Sequence, residues 1–144
     1  MKSLFKKLDL WCVKENQKRR RDGALSIKPF LLRIVGQTAL HLSGVDLHLN
    51  RTHDIDAYAN FEYIVMRQFE TLLKQVGKIY DRYSYQIWMP PETRYETYYK
   101  GSLLTVEISK IEYVLISKAL KEPIKNKLLL KQYLKKEPDR KSVV

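Results

Sequence analysis

The spacing of apolar residues changes several times along the chain, and each change marks an element. Over residues 3–18, Leu4, Leu8, Trp11 and Cys12 fall at three- and four-residue steps, which puts them on one face of a helix. The basic block Lys18-Arg19-Arg20-Arg21 follows and ends at the turn signal Asp22-Gly23. Phe30-Leu31-Leu32-Arg33-Ile34-Val35 is short, apolar and partly β-branched, and it stops at Gly36. That is the pattern of a buried strand. Gln37 to Leu42 reads as a short helix closed by Ser43-Gly44, and residues 45–51 as a loop. Thr52 to Tyr58 reads as a second strand, with Ile55 between two acids.

Asn60 is placed to cap the next helix. Its apolar stripe runs through Phe61, Ile64, Val65, Phe69, Leu72, Leu73, Val76 and Ile79, which predicts an end near Tyr80. Tyr83 to Met89 reads as a third strand, stopped by Pro90-Pro91. Tyr95 to Tyr99 and Leu103 to Ile108 read as two more strands around Lys100-Gly101. Ser109 is placed to cap a helix with Ile111, Val114, Leu115 and Ala119, and Pro123 opens a last helix through Leu130 and Leu134. Strands interleaved with helices predict an α/β (α+β) fold, a small mixed sheet with helices packed on it. The 144 residues fit one domain. It divides into an N-terminal helix and basic turn (1–26), a sheet core (27–108), C-terminal helices (109–137) and a polar tail (138–144).

Hydrophobic residues at 44% and charged residues at 30% are a globular balance. The single cysteine, Cys12, excludes an intrachain disulfide framework and a Cys-rich zinc site. No apolar run reaches the roughly 20 residues that span a bilayer. The N-terminus shows no signal-peptide core, so the expectation is a cytoplasmic protein without membrane contact. Lys plus Arg is 27 against 16 Asp plus Glu, a net charge of +11. Such a charge favours polyanionic partners: nucleic acid, nucleotide phosphates or an acidic protein. Arg19 to Arg21 either touch nucleic acid or complement the dipole at a helix end.

The candidate chemistry lies in Val35-Gly36-Gln37-Thr38-Ala39-Leu40 and Arg51-Thr52-His53-Asp54-Ile55-Asp56. Alternation along a strand puts Asp54 and Asp56 on one face and Ile55 in the core. Two carboxylates on one face repel unless a cation lies between them, and hard oxygen ligands suit Mg²⁺. Gly36 ends a strand and opens a helix, a place where backbone N–H groups hold phosphate.

The string Gly-x-x-Ala-Leu, a loop, then Arg-x-Thr-x-Asp-Ile-Asp resembles the minimal nucleotidyltransferases of the DNA polymerase β superfamily, and among them the AbiEii-type toxins. Val106 to Leu120, with Lys118, resembles the strand and helix that follow the catalytic sheet there, so the resemblance covers roughly residues 27–135. It implies that Asp54 and Asp56 bind Mg²⁺ or Mn²⁺ and that Gly36 and Gln37 lie at the phosphates of an incoming nucleoside triphosphate. Arg51 would approach the triphosphate, or be a loop arginine salt-bridged on the surface; Lys118 would face the nucleotide cleft, or be a solvated helix lysine. The implied reaction transfers a nucleoside monophosphate to a hydroxyl, an RNA or tRNA end among the candidates. The implied setting is a toxin with a cognate antitoxin.

Two positions depart from the pattern. Gln37 stands where the family has a second Gly or a Ser. The superfamily also places a third carboxylate on the strand after the long helix, and the matching residue reads as Gln86, which cannot act as a base at neutral pH. Glu107 is the substitute on a later strand, and Glu92 a weaker one. If neither serves, the chain is a nucleotidyltransferase-like protein that binds nucleotide, RNA or a protein partner without turnover. His41, His48 and His53 match no zinc spacing. The tyrosines between Tyr80 and Tyr99 either stack bases or pack a half-exposed sheet.

Overall fold

A computed structural model describes residues 1–43, 54–83, 89–110 and 112–116, apart from the side chain of Gln37. The elements are α1 (Lys2–Arg21), β1 (Phe30–Ile34), α2 (Gly36–Leu42), β2 (Asp54–Ala59), α3 (Tyr63–Gln75), β3 (Ile79–Asp81), β4 (Tyr95–Lys100) and β5 (Leu104–Ser109). Residues 112–116 are helical. The expected third strand at 83–89 and last helix from Pro123 lie mostly or wholly outside the described residues; Tyr83 itself is in a turn. The fold is α+β. Its mixed sheet has the order β3-β2-β1-β5-β4. β1 runs antiparallel to β2 and parallel to β5, β2 is parallel to β3, and β4 is antiparallel to β5.

One face of the sheet forms the core. Leu32, Ile34, Ile55, Ala57, Val106 and Ile108 pack there beneath α1 and α3. α1 contributes Phe5, Leu8 and Cys12, and α3 contributes Val65, Phe69 and Leu73, all fully buried. The rings of Phe5 and Phe69 lie 6.4 Å apart and join the two helices. Tyr98 and Tyr99 pack at 6.0 and 6.5 Å on Phe5, and Tyr80 at 5.5 Å on Phe69, so these three tyrosines serve the core.

Three boundaries differ from the sequence expectation. α1 continues to Arg21, because Lys and Arg are good helix formers and suit the last turn. α3 begins at Tyr63 after Glu62, since Asn60 follows directly on β2 and does not cap it. α3 also ends early. The N–H of Gly77 bonds to the Lys74 carbonyl and that of Lys78 to the Leu73 carbonyl, with Gly77 at φ +72. This is a Schellman stop, and the left-handed position needs glycine. Ile79 and Tyr80 therefore start a strand.

Asp9 fastens α1 to the sheet. Its buried carboxylate accepts the backbone N–H groups of Ser102, Leu103 and Leu104 at 2.9, 2.8 and 2.9 Å. A Cβ on Gly101 would collide with the Asp9 carboxylate, so only glycine lets the turn close over the acid. Farther along α1, Asn16 holds both the N–H (2.6 Å) and the carbonyl (3.0 Å) of Ile27, which sets the entry to β1. Asp9→Ala would strand three donors at once. Each unmade bond of this kind costs about 1–3 kcal/mol, so a loss of roughly 3 kcal/mol or more is expected by denaturant unfolding. Asp9→Asn, which keeps one acceptor oxygen, should lose less.

Candidate active site

The site is built where β1 leaves the sheet. The N–H of Val35 bonds to the Asp56 carbonyl at 2.9 Å, which continues the β1–β2 ladder to the end of the strand. Gly36 then takes φ +63 and turns the chain into α2. A Cβ at this position would meet Asp56 Oδ2 at 2.6 Å. Glycine is required here twice, for its dihedral angle and for the space its missing side chain leaves to a carboxylate. The hydroxyl of Thr38 donates to the Asp54 carbonyl at 3.3 Å and ties the first turn of α2 to the start of β2.

Asp54 and Asp56 alternate with buried Ile55 and Ala57, so both acids lie on the face away from α1 and α3. Asp54 is exposed and Asp56 half-buried. β3 adds a third acid. In its parallel register Asp81 is the partner of Asp56, on the neighbouring strand and on the same face. The N–H of Tyr83 donates to Asp81 Oδ1 at 2.9 Å and orients that carboxylate. Among the described residues, no three His, Cys, Asp or Glu side chains come together tightly enough to enclose a metal ion. The described residues offer two carboxylates on one face of β2, with Asp81 on the neighbouring strand beside Asp56.

Glu107 stands elsewhere. It lies on β5, with β1 between it and β2, opposite Arg33 in the register. Arg33 Nε donates to Glu107 Oε1 at 3.0 Å, and the guanidinium sits 4.3 Å over the Tyr95 ring. The geometry therefore puts Asp81, not Glu107, beside Asp56. Glu92 is exposed in the turn after Pro91. Arg51, Lys118, Gln86, His48 and His53 lie outside the described residues. Gln37 is the second residue of α2, and His41 is exposed in its last turn.

Asp81 was hidden by periodicity. Ile79 and Tyr80 happen to continue the apolar step of α3, which draws the helix past its true end. Gly77 was the available signal: a glycine after the last stripe residue marks a helix stop. The apolar-aromatic-acid triplet behind it is then a strand carrying an acid.

Neighbouring groups complete the surface. Tyr58 follows Asp56 on the same face, and burial, then Tyr95 and Asp56, push its phenol above the ordinary value. A cleft of about 710 Å³ opens farther along β1 and β2, lined by Phe30, Arg33, Tyr58, Asn60 and Phe61 among others; Gly36, Asp54, Asp56 and Asp81 do not line it. Cys12 takes no part: burial, reinforced by Asp9, pushes its thiol up to about 12, which makes it a poor nucleophile. Ser109, expected as a helix cap, is the last residue of β5; its buried hydroxyl has no hydrogen-bond partner among the described residues. No family model, curated protein or solved structure matches the chain.

Gly36→Ala tests the contact at the heart of this arrangement. The added methyl must displace the Asp56 carboxylate and adopt a left-handed backbone, a strain of about 1–3 kcal/mol. Thermal unfolding should show the loss, and a crystal structure should show Asp56 turned away from the α2 entry.

Proposed function

We propose that the chain is a metal-dependent nucleotidyltransferase. It moves a nucleoside monophosphate from a nucleoside triphosphate to a hydroxyl acceptor and releases pyrophosphate. The observation that carries this reading is the trio of acids on β2 and β3 with the side-chain-free backbone of Gly36 against Asp56. α2 has only seven residues, so its dipole adds little. Gly36 is buried, and its missing side chain makes room for the Asp56 carboxylate, so its part in this reading is to hold that acid in place.

Asp54 and Asp56 are the residues that would hold Mg²⁺ or Mn²⁺. A divalent ion there supplies charge neutralisation for the triphosphate and the pyrophosphate leaving group. Asp81 is the general base of this reading. It takes the proton of the acceptor hydroxyl as the new oxygen–phosphorus bond forms at the α-phosphate and the α–β anhydride bond breaks. The N–H of Tyr83 keeps its carboxylate in place. The resemblance noted above extends the proposal to an RNA or tRNA end as acceptor, and to a toxin acting beside a cognate antitoxin in the cytoplasm. No helix of the described residues is long and apolar enough to cross a membrane.

The alternative, a nucleotide-, RNA- or protein-binding relative without turnover, drew on Gln37 and Gln86. An acid on the strand after the long helix weighs against it. Incubation with labelled nucleoside triphosphates, Mg²⁺ and bulk tRNA separates the two. Wild type should transfer label, and Asp54→Asn/Asp56→Asn should not. Asp81→Asn should lower the rate by about 10²-fold or more, the scale of a lost general base. Glu107→Gln should stay within a few-fold of wild type. Absence of transfer by wild type, or equal transfer by the Asp54/Asp56 variant, would contradict the proposal.

A further inference from the structure

The ion pairs among the described residues all use Arg19, Arg33 or Arg82. The cations on the outer face of α1 enter none of them. Lys7, Lys14, Lys18 and Arg21 succeed one another at seven, four and three residues, which aligns them along one side of the helix. Lys6 flanks the line. All five are exposed, and none has a hydrogen-bond or acidic partner among the described residues. The acids of α1 are engaged elsewhere: Asp9 with three backbone N–H groups, Glu15 with Arg19. Like charges four residues apart, as at Lys14 and Lys18, repel. From Lys6 to Arg21 the track is about 22 Å long, at about 1.5 Å per residue.

An acidic protein, an acidic bilayer and a nucleic acid are the polyanions that match a basic helix, and a regular row of cations fits the evenly spaced charges of a nucleic-acid strand better than the scattered acids of a protein surface. A helix that lies in a bilayer needs an apolar face free to insert. The apolar face of α1 is consumed by the core, with Phe5, Leu8 and Cys12 fully buried. Leu10, 49% exposed, is the large apolar residue left among the outer cations. Charge without insertable surface matches phosphates on a strand.

We propose that the outer face of α1 is a binding track for the phosphate backbone of a nucleic-acid strand. Its five cations can neutralise up to five phosphates of the strand. The track ends near the cleft. Arg19 bonds Glu62 at 2.8 and 3.0 Å, and Asn60 and Phe61, just before Glu62, line the cleft with Phe30. α1 packs on the side of the sheet away from Asp54 and Asp56, so the track anchors a strand without competing for the acids. It stands whether or not the chain transfers nucleotides.

Fluorescence anisotropy with a labelled single-stranded 12-nucleotide RNA, without metal or triphosphate, tests it. Five neutralised phosphates predict that log affinity falls with log salt at a slope of about −3.5. Lys14→Gln/Lys18→Gln/Arg21→Gln should flatten the slope by about 2 and weaken binding at least about tenfold at low salt. A charge-matched control, Lys28→Gln/Lys74→Gln/Lys100→Gln, removes exposed cations off the track and should retain most binding. Circular dichroism checks that both variants fold. Absence of RNA binding by wild type, equal losses in both triple variants, or preference for phosphatidylserine vesicles over RNA would overturn the track. The titration contains neither metal nor triphosphate, so failure of the track and failure of the transfer chemistry are read separately.

Discussion

The contact between Gly36 and Asp56 constrains everything around the site. β1 can pair with β2 as far as Val35, and the chain can then enter α2, only if the residue at 36 has no side chain. The same contact holds a carboxylate against bare backbone. Structure and candidate chemistry thus share one requirement. A substituent at 36 pushes on the acid that the site needs, and a displaced Asp56 also disturbs the end of the central strand pair.

Two other polar anchors set the frame that makes this contact possible. Asp9 draws the β4–β5 turn onto α1, and Asn16 with the Arg19–Glu62 pair fixes the chain between α1 and α3. Glu62 is held below the ordinary carboxylate range by its hydrogen bond to Arg19. With α1 fastened at both ends, the core face of the sheet is covered. Asp54, Asp56 and Asp81 are left on the opposite face. The charge follows the same division: acids gather on β2 and β3, while cations with no acidic partner among the described residues line the outside of α1.

Much of the architecture was legible in residue spacing. The stripe of Leu4, Leu8 and Cys12, the apolar run of β1 and the Asp-Ile-Asp alternation of β2 each report a face directly. Errors arose where two periods overlap. Ile79 fits both a helix of step 3.6 and a strand of step 2, and only the left-handed Gly77 decides between them. Without that decision Asp81, which pairs with Asp56, was passed over, and the sequence reading turned to Gln86 and Glu107. The role of Glu107 was illegible for a related reason. Its partner, Arg33, is 74 residues away and meets it only through the β1–β5 register. Nor does local pattern tell a capping residue from a buried one, as Ser109 shows.

The central claim is that Asp54 and Asp56 form one site for a divalent ion and a triphosphate. A thermal unfolding series with Mg²⁺, with a nucleoside triphosphate, and with both tests it most directly. Binding to the native state alone at 100-fold excess over Kd adds about 2.7 kcal/mol, which for a chain of this size is a rise of roughly 6–10 °C. The account predicts such a rise for wild type only when ion and nucleotide are present together. It predicts none for Asp54→Asn/Asp56→Asn, whose circular dichroism should match wild type. A full shift retained by that variant, or no shift in wild type at saturating ligand, would contradict it.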